Sequence, residues 1–162
     1  MIFKTILTGV ISIGILVGCN SQKQNDMNEP KDINTLIKKM DGYEHLSITL
    51  PKKSNENELH LEMTPGKWHK VDCNSYGLLG NIEEKKDQET DISYYFYDTD
   101  GNMRSTMMAC PDMTLTNKFV VGESKTINYT SNAPIIIFYP KGYEIKLKVK
   151  NQQNKEVPTK LP

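Results

Sequence analysis

The residues with the most distinctive chemistry in this chain of 162 residues lie in one short segment, 105–112 (STMMACPD). Two adjacent methionines stand between small residues, and a cysteine and a proline follow them. Methionine is unbranched, apolar and flexible, so an exposed methionine fits pockets of several shapes without burying a charge. Taken alone, the segment is explained equally well if Met107 and Met108 are ordinary core residues.

Residue types that would indicate an enzyme or a bound cofactor lack the spacing that such sites need. No serine, histidine and acid occur together with a nucleophile elbow. His45, His60 and His69 do not have metal-ligand spacing. The segment 98–102 (DTDGN) resembles the start of a calcium loop but lacks the closing carboxylate, and a hairpin turn explains it better. The sequence therefore predicts neither an enzyme nor a cofactor.

The methionines offer the main alternative from another class of protein. Thioether sulfurs suit Cu(I), so Met103, Met107, Met108 and Met113 would fit a methionine-rich periplasmic copper-binding lipoprotein. No histidine lies close to them in sequence, and Cys110 has a better use in a disulfide. A β-sandwich adhesion or scaffold module is a third possibility, but no residue pattern favours it.

The N-terminal residues form a targeting segment and are kept apart from the fold. An apolar stretch, 5–17, follows a single lysine and is too short to span a bilayer comfortably. It ends in residues 16–19 (LVGC), which resemble a bacterial lipobox. We therefore predict a lipoprotein signal peptide at 1–18 and lipidation of Cys19, with enough acyl chains to anchor the protein stably to a membrane.

Residues 19–31 are polar and have no periodicity, which is typical of a flexible tether between an anchor and a folded domain. Asn20 follows the lipidated position. By resemblance to lipoproteins of bacteria with two membranes, a residue other than aspartate there indicates sorting to the outer membrane. The expected location is the bacterial cell envelope, on either side of that membrane.

The remaining cysteines form one pair. The chain has three cysteines, and a lipidated Cys19 leaves only Cys73 and Cys110 in an exported, oxidising compartment. A disulfide between them would stabilise the fold by about 4 kcal/mol in the chain-entropy treatment. Since Cys110 closely follows Met108, the bond would also hold the methionine segment.

A change of hydrophobic period marks the start of the folded domain, predicted at 32–162. In residues 32–40, apolar side chains recur at the helical positions Ile33, Leu36, Ile37 and Met40, and Asp32 is the candidate N-cap. A helix this short is marginal alone, so it must dock on the domain or fray.

From Tyr43 onward the period is two, as expected for strands that bury one face. Apolar and polar residues alternate in 46–50, 59–63 and 143–150, whereas 135–139 is apolar on both faces and predicts a central strand. These patterns indicate an all-β fold, an antiparallel β-sandwich or barrel. The predicted turns are Pro51–Lys52, Pro65–Gly66, Asp100–Gly101–Asn102, Gly122 and Lys141–Gly142.

Composition agrees with one modest domain that does not bind nucleic acid. The 20 basic and 20 acidic residues balance, so the chain lacks the electrostatic footprint of a nucleic-acid-binding protein. Apolar residues make up 37% of the chain, enough for one core.

Several of these segments resemble the ecotin family, bacterial inhibitors of chymotrypsin-fold serine proteases. Residues 105–112 are similar to the family's reactive-site loop, and 71–74 (VDCN) to the motif around its first cysteine. Residues 94–98 (YYFYD) resemble its aromatic strand, and 118–120 and 129–140 are similar too. No gap is needed between the two cysteines, and the similarity extends over residues 44–152.

The resemblance implies a substrate-like, reversible inhibitor of broad specificity whose reactive bond is Met107–Met108. Met107 would occupy the primary pocket of the protease, and the disulfide would hold the new ends if the bond were cut. Asn74 matches a family residue whose side chain braces the loop. The protease-binding loop would consist of Arg104, Ser105, Thr106, Met107, Met108 and Ala109.

The resemblance also implies a homodimer that exchanges C-terminal strands, and 143–150 keeps the alternation that such a strand needs. At four places the chain departs from the family pattern. Gly77 replaces a loop-supporting Arg, Thr90 and Lys150 replace Trp, and the loop around 122–127 is shorter. These departures leave secondary protease contacts open, and the sequence does not name the target protease.

Overall fold

Alternating apolar residues produce most of the strands in the computed structural model, which describes residues 33–161. The elements are the helix α1 (Ile33–Lys39), a single 3-10 turn (Glu56–Glu58) and the strands β1 (Tyr43–Ile48), β2 (Leu59–Val71), β3 (Tyr76–Leu78), β4 (Asn81–Lys86), β5 (Ser93–Asp98), β6 (Met103–Ser105), β7 (Thr116–Val121), β8 (Lys125–Asn128), β9 (Ile135–Pro140) and β10 (Glu144–Asn151). The predicted all-β class with one short N-terminal helix is confirmed. The signal peptide and the tether predicted at 1–18 and 19–31 lie outside the described residues, as do Cys19 and Asp32.

The strands form two main sheets and a short ribbon. The first sheet has the order β1-β9-β5-β4, and the second has the order β10-β2-β7, with β8 also paired to β2. The ribbon consists of β3 and β6. Side chains from both main sheets meet in one core, in which Leu61, Met63, Tyr97, Ile137 and Val149 are almost completely buried.

One pairing departs from the predicted antiparallel arrangement. β5 and β9 pair in parallel through Tyr95↔Ile137 and Phe96↔Phe138, whereas the other strand pairs are antiparallel. A parallel pair needs a long crossover connection, and here residues 99–134 supply it through β6, β7 and β8. The prediction of a central strand at 135–139 is confirmed, because β9 lies between β1 and β5.

The predicted N-terminal helix docks on the first sheet rather than fraying. Leu36 is fully buried against Tyr94, Ile136 and Phe138, on the face of the sheet that points away from the main core. Ile33, Ile37 and Met40 pack around this cluster, as their helical spacing predicts. Within residues 33–161, no helix is long and apolar enough to cross a membrane.

An ion pair also attaches the helix to the turn between β4 and β5. The Nζ atom of Lys39 lies 3.0 Å from an oxygen of Asp87. The pKa of Asp87 is lowered to about 2, because the carboxylate accepts hydrogen bonds from the backbone N–H and hydroxyl of Thr90 and from Lys39. A carboxyl whose pKa is lowered on folding contributes stability above its ordinary pKa, and loses that contribution as the pH falls toward the lowered value.

The predicted turn at Pro65–Gly66 is wrong, because both residues lie inside β2. The Phe119 ring lies directly over Gly66, so a side chain there would overlap the ring. The carbonyl of Pro65 is also engaged, accepting a 2.9 Å hydrogen bond from the N–H of Gly122. Glycine at position 66 therefore provides space for a tertiary contact instead of a chain reversal.

The turn at Asp100–Gly101–Asn102 exists, but it does not form the predicted hairpin. It joins β5 of the first sheet to β6 of the ribbon, so its two strands do not pair with each other. Gly101 has φ +80°, and Asp100 accepts a 3.0 Å hydrogen bond from the N–H of Asn102. The turn thus redirects the chain out of the first sheet toward the methionine segment.

Candidate functional site

The methionine segment leaves β6 as an exposed loop. Met107 is 99% exposed and Met108 is 56% exposed, so the alternative that they are core residues is wrong. Residues 106–115 contain no helix or strand before β7 begins at Thr116. Met107 is therefore free to contact another molecule.

The predicted disulfide holds the part of this loop that follows the methionines. Cys73 and Cys110 are bonded, with their Cα atoms 5.7 Å apart. Cys73 follows the end of β2, and Cys110 lies two residues after Met108. The bond therefore ties the loop to one of the most extensively paired strands of the fold.

Before the methionines, the loop backbone is held extended by the ribbon. β3 and β6 pair antiparallel, with Gly77 opposite Arg104 and Tyr76 opposite Ser105. Beyond the ribbon, the N–H of Thr106 donates to the carbonyl of Ser75 at 3.1 Å. The N–H of Ser75 donates in return to the Thr106 hydroxyl at 3.0 Å. Residues 104–106 therefore have a defined, strand-like path that leads up to Met107.

Asn74 lies under the loop and contacts its backbone on one side of Met107 and a side chain on the other. It is only 7% exposed. Its Oδ1 atom accepts hydrogen bonds from the N–H of Met108 at 2.7 Å and from the hydroxyl of Thr106 at 2.9 Å. Its Nδ2 atom donates to the carbonyl of Met108 at 3.3 Å. One buried amide thus holds the residues on both sides of Met107, including the nitrogen of the Met107–Met108 bond.

Asp72 fixes the orientation of the Asn74 amide. Its carboxylate accepts hydrogen bonds from the backbone N–H of Asn74 at 2.8 Å, from Nδ2 at 3.0 Å and from the hydroxyl of Tyr76 at 3.0 Å. The pKa of Asp72 is lowered, chiefly by the hydrogen bond from the Asn74 backbone and then by the one from its side chain. With Nδ2 directed to Asp72, Oδ1 is left facing the loop donors.

Sequence reasoning identified Asn74 but missed Asp72 and Tyr76. Asp72 lies in the segment 71–74 that resembles the motif around the family's first cysteine, so a signal for it is present in the sequence. Nothing marked Tyr76, because its contact with Asp72 depends on the path of the chain between β2 and β3. The other predicted loop residues, Arg104, Ser105 and Ala109, are exposed around Met107.

At two positions where the chain departs from the ecotin pattern, the side chain makes contacts within the domain. Thr90 is 9% exposed and donates its hydroxyl hydrogen to Asp87 at 2.8 Å, under the end of α1. Lys150 forms an ion pair with Glu62 at 2.6 Å, across the paired strands β10 and β2. Neither side chain is presented to solvent in the way that Met107 is.

The four methionines proposed as copper ligands are exposed, with Met103 37% and Met113 98% accessible. No group of three or more His, Cys, Asp or Glu side chains in the described part of the chain is arranged to hold a metal ion. Met107 and Met113 project almost fully into solvent, which favours presentation of Met107 to a partner over enclosure of a copper ion.

A β-sandwich that carries an exposed apolar side chain on an extended loop, braced from below and closed by a disulfide, has the features of a substrate-like protein inhibitor of proteases. The Ecotin family model matches residues 38–151. The ecotin of Pseudomonas putida is 35% identical over 121 residues, covering 74% of this chain and 76% of that protein. An ecotin-like protein of Methylobacillus flagellatus is 31% identical over 150 residues, covering 90% of each chain. The chain belongs to the ecotin family, whose members are serine protease inhibitors rather than enzymes.

We predict that Asn74→Ala weakens inhibition of a target protease by about 10–100-fold. Removing the amide leaves the backbone donor of Met108 without its partner, and an unsatisfied polar group costs about 1–3 kcal/mol. Inhibition constants and the rate of cleavage of the variant by the protease measure the effect.

The matched control for Asn74→Ala is Asn81→Ala. Asn81 is an exposed asparagine on β4 whose side-chain amide donates a 3.0 Å hydrogen bond to Glu83. Its replacement is expected to leave the inhibition constant unchanged. Equal constants for Asn74→Ala and the wild type would show that the amide does not brace the loop.

Proposed function

We propose that this protein inhibits chymotrypsin-fold serine proteases by presenting the Met107–Met108 bond as a substrate that is cut and resealed reversibly. The observation that carries the proposal is that the side chain before this bond is exposed while the backbone after it is held by a buried residue. The Met107 side chain is 99% exposed, while the backbone of Met108 is hydrogen-bonded to the buried Asn74. A partner can therefore take up the side chain without displacing the bond from its support.

In this mechanism, the catalytic serine of the protease attacks the carbonyl carbon of Met107, and the nitrogen of Met108 leaves with a proton from the protease's histidine. In an ordinary substrate, the new amine would then diffuse away. Here Asn74 Oδ1 accepts a hydrogen bond from that same nitrogen at 2.7 Å, and Cys110 remains bonded to Cys73. The amine is thus kept beside the acyl-enzyme, where it can attack the ester and restore the peptide bond.

Broad specificity follows from the side chain presented. Met107 carries no charge and no β-branch, so it can enter primary pockets of different shapes without an unpaired charge. The preformed path of residues 104–106 adds affinity for any such protease, because the loop loses little conformational entropy on binding.

Titration of trypsin, chymotrypsin and elastase with the purified protein tests the proposal. We expect stoichiometric inhibition of more than one of them, together with a slowly established mixture of intact and cut inhibitor. Rapid and complete cleavage after Met107 without inhibition, or no inhibition of any of the three, would reject it.

We further propose that the inhibitor is a lipoprotein of the bacterial outer membrane, anchored through Cys19. The support is the lipobox-like segment 16–19 and the polar stretch that separates it from α1. Cys19→Ser is expected to abolish acylation and to move the protein from the membrane fraction to the soluble one, or to leave the precursor uncleaved. Unchanged fractionation together with an unmodified Cys19 in the mass spectrum of the wild type would contradict this.

We also propose a homodimer in which the C-terminal strands are exchanged. In the single chain, β10 pairs with β2 of the same chain, from Glu144↔Gly66 to Asn151↔Leu59. An exchange would form the same pairs with β2 of a second copy if the turn at Lys141–Gly142 opened. Sedimentation velocity measures the outcome: a species of twice the chain mass is expected, and a monomer at micromolar concentration would contradict the exchange.

A further inference from the structure

The side chain of Arg104 lies across Gly77 on the neighbouring strand of the ribbon. The two residues are paired in register between β6 and β3. A Cβ atom added to Gly77 would stand 3.1 Å from Nε of Arg104 and 3.6 Å from its Cγ. Gly77 does not have a positive φ. Its missing side chain therefore serves to make room for the arginine, not to permit an unusual backbone conformation.

Arg104 has no anionic partner within the described part of its own chain. None of the ion pairs or side-chain hydrogen bonds identified within residues 33–161 involves its guanidinium, and the residue is exposed. The N–H donors of the guanidinium are therefore available to another molecule. This differs from Lys150, which is neutralised by Glu62 at 2.6 Å.

An open groove of about 410 Å³ runs beside Arg104. Val121, which is 43% exposed, gives it an apolar side, and Gly77 and Thr106 lie along it. Arg104 precedes Met107 by three residues on the same extended segment. With Met107 in the primary pocket of a protease, Arg104 is the fourth residue before the cut bond, so its guanidinium would lie at the protease subsite for that residue.

We propose that Arg104 is a specificity-determining residue that selects proteases with a carboxylate at the rim of that subsite. The inference rests on the proposed function. A guanidinium binds a carboxylate through two parallel N–H donors, a geometry that lysine does not reproduce. Because the arginine already lies over Gly77, less side-chain freedom is lost when it binds. A basic residue at the same rim would be repelled.

The test uses one chymotrypsin-fold protease that has Asp or Glu at this rim and a variant of it in which that acid is replaced by Ala. Arg104→Ala is expected to weaken inhibition of the acidic form about tenfold and to leave the constant for the neutral form within about twofold. Arg104→Lys is expected to recover only part of the loss. The difference between the two proteases should shrink as salt is raised from about 0.05 to 0.5 M.

Two further variants distinguish the effect of the position of the Arg104 side chain from the effect of surface charge in general. Gly77→Ala keeps the charge but crowds the side chain, so it is expected to remove part of the preference for the acidic form. Lys86→Ala removes a surface cation on β4, a lysine paired with Asp91, and is expected to change neither constant.

The outcomes distinguish failure of the selective role of Arg104 from failure of the proposed function. If the wild type inhibits neither form of the protease, the proposed function fails at this site. If the wild type inhibits both forms and Arg104→Ala changes the two constants by the same factor, the selective role of Arg104 is wrong and the proposed function stands. A preference for the acidic form that disappears in Arg104→Ala supports the inference.

Discussion

Met107→Arg is expected to strengthen inhibition of trypsin-like proteases about tenfold and to weaken inhibition of elastase-like proteases about 100-fold. The primary pocket of a trypsin-like protease contains a buried acid that pairs with the new charge, whereas the small apolar pocket of an elastase-like protease would leave the charge unpaired. Burying an unpaired charge costs several kcal/mol, more than the roughly 1–3 kcal/mol for a misfit of one methylene. The measurement is a pair of inhibition constants for each variant.

The fold is not expected to change in this variant. Met107 is 99% exposed, so its replacement removes no core contact, and a surface substitution of this kind changes stability by less than about 0.5 kcal/mol. Equal melting temperatures of Met107→Arg and the wild type confirm that only recognition has altered.

Met113→Arg is the matched control, because Met113 is 98% exposed and lies beyond the disulfide. It adds the same charge to the same loop region without reaching the primary pocket. We expect neither inhibition constant to move by more than about twofold in this control. If Met108→Arg shifts the constants while Met107→Arg does not, the reactive bond has been assigned one residue too early.

Removal of the disulfide is expected to destabilise the domain by about 4 kcal/mol and to convert the inhibitor into a substrate. The bond between Cys73 and Cys110 closes a stretch with a sequence separation of 37, so its loss frees a long loop in the unfolded chain. It also frees the segment after Met108. The new amine can then leave the acyl-enzyme before the peptide bond is restored.

The variant for this test is the double replacement Cys73→Ala and Cys110→Ala, which leaves no unpaired thiol among the described residues. Denaturant unfolding measures the stability, and mass spectrometry measures cleavage after Met107 at a temperature where the variant remains folded. Faster cleavage is expected even there, since Asn74 alone must then hold the Met108 nitrogen. An unchanged cleavage rate in the folded variant would show that the disulfide stabilises the fold without supporting inhibition.

Periodicity predicted the elements that depend on burial of one face. The helical spacing of Ile33, Leu36, Ile37 and Met40 predicted α1, and the alternation in 143–150 predicted β10. These predictions succeeded because the period of apolar residues must match the period of the element that buries them. The disulfide was predictable for a different reason, because only two cysteines remain once Cys19 is assigned to the anchor.

The errors arose where a residue type has two physical uses. Gly66 was assigned to a turn, but in β2 it makes room for the ring of Phe119. The glycine turn at 100–102 was assigned to a hairpin, but it joins two different sheets. Turn residues show that the chain can bend, and they do not show which strands will pair afterwards. The parallel pairing of β5 with β9 depends on a crossover through residues 99–134, so no local pattern revealed it.

The sequence by itself determined the all-β class, the helix, the cysteine pair and the exposed methionine segment, because each depends on spacing, composition or a resemblance carried by short motifs. The resemblance also pointed to Asn74 as a brace, but only the tertiary structure decided which atoms support the Met107–Met108 bond. Asn74 meets Met108 across 34 positions in sequence, and Gly77 meets Arg104 through the register of β3 and β6. Such contacts are fixed by the pairing and packing of whole strands, and a one-residue slip in register would remove them.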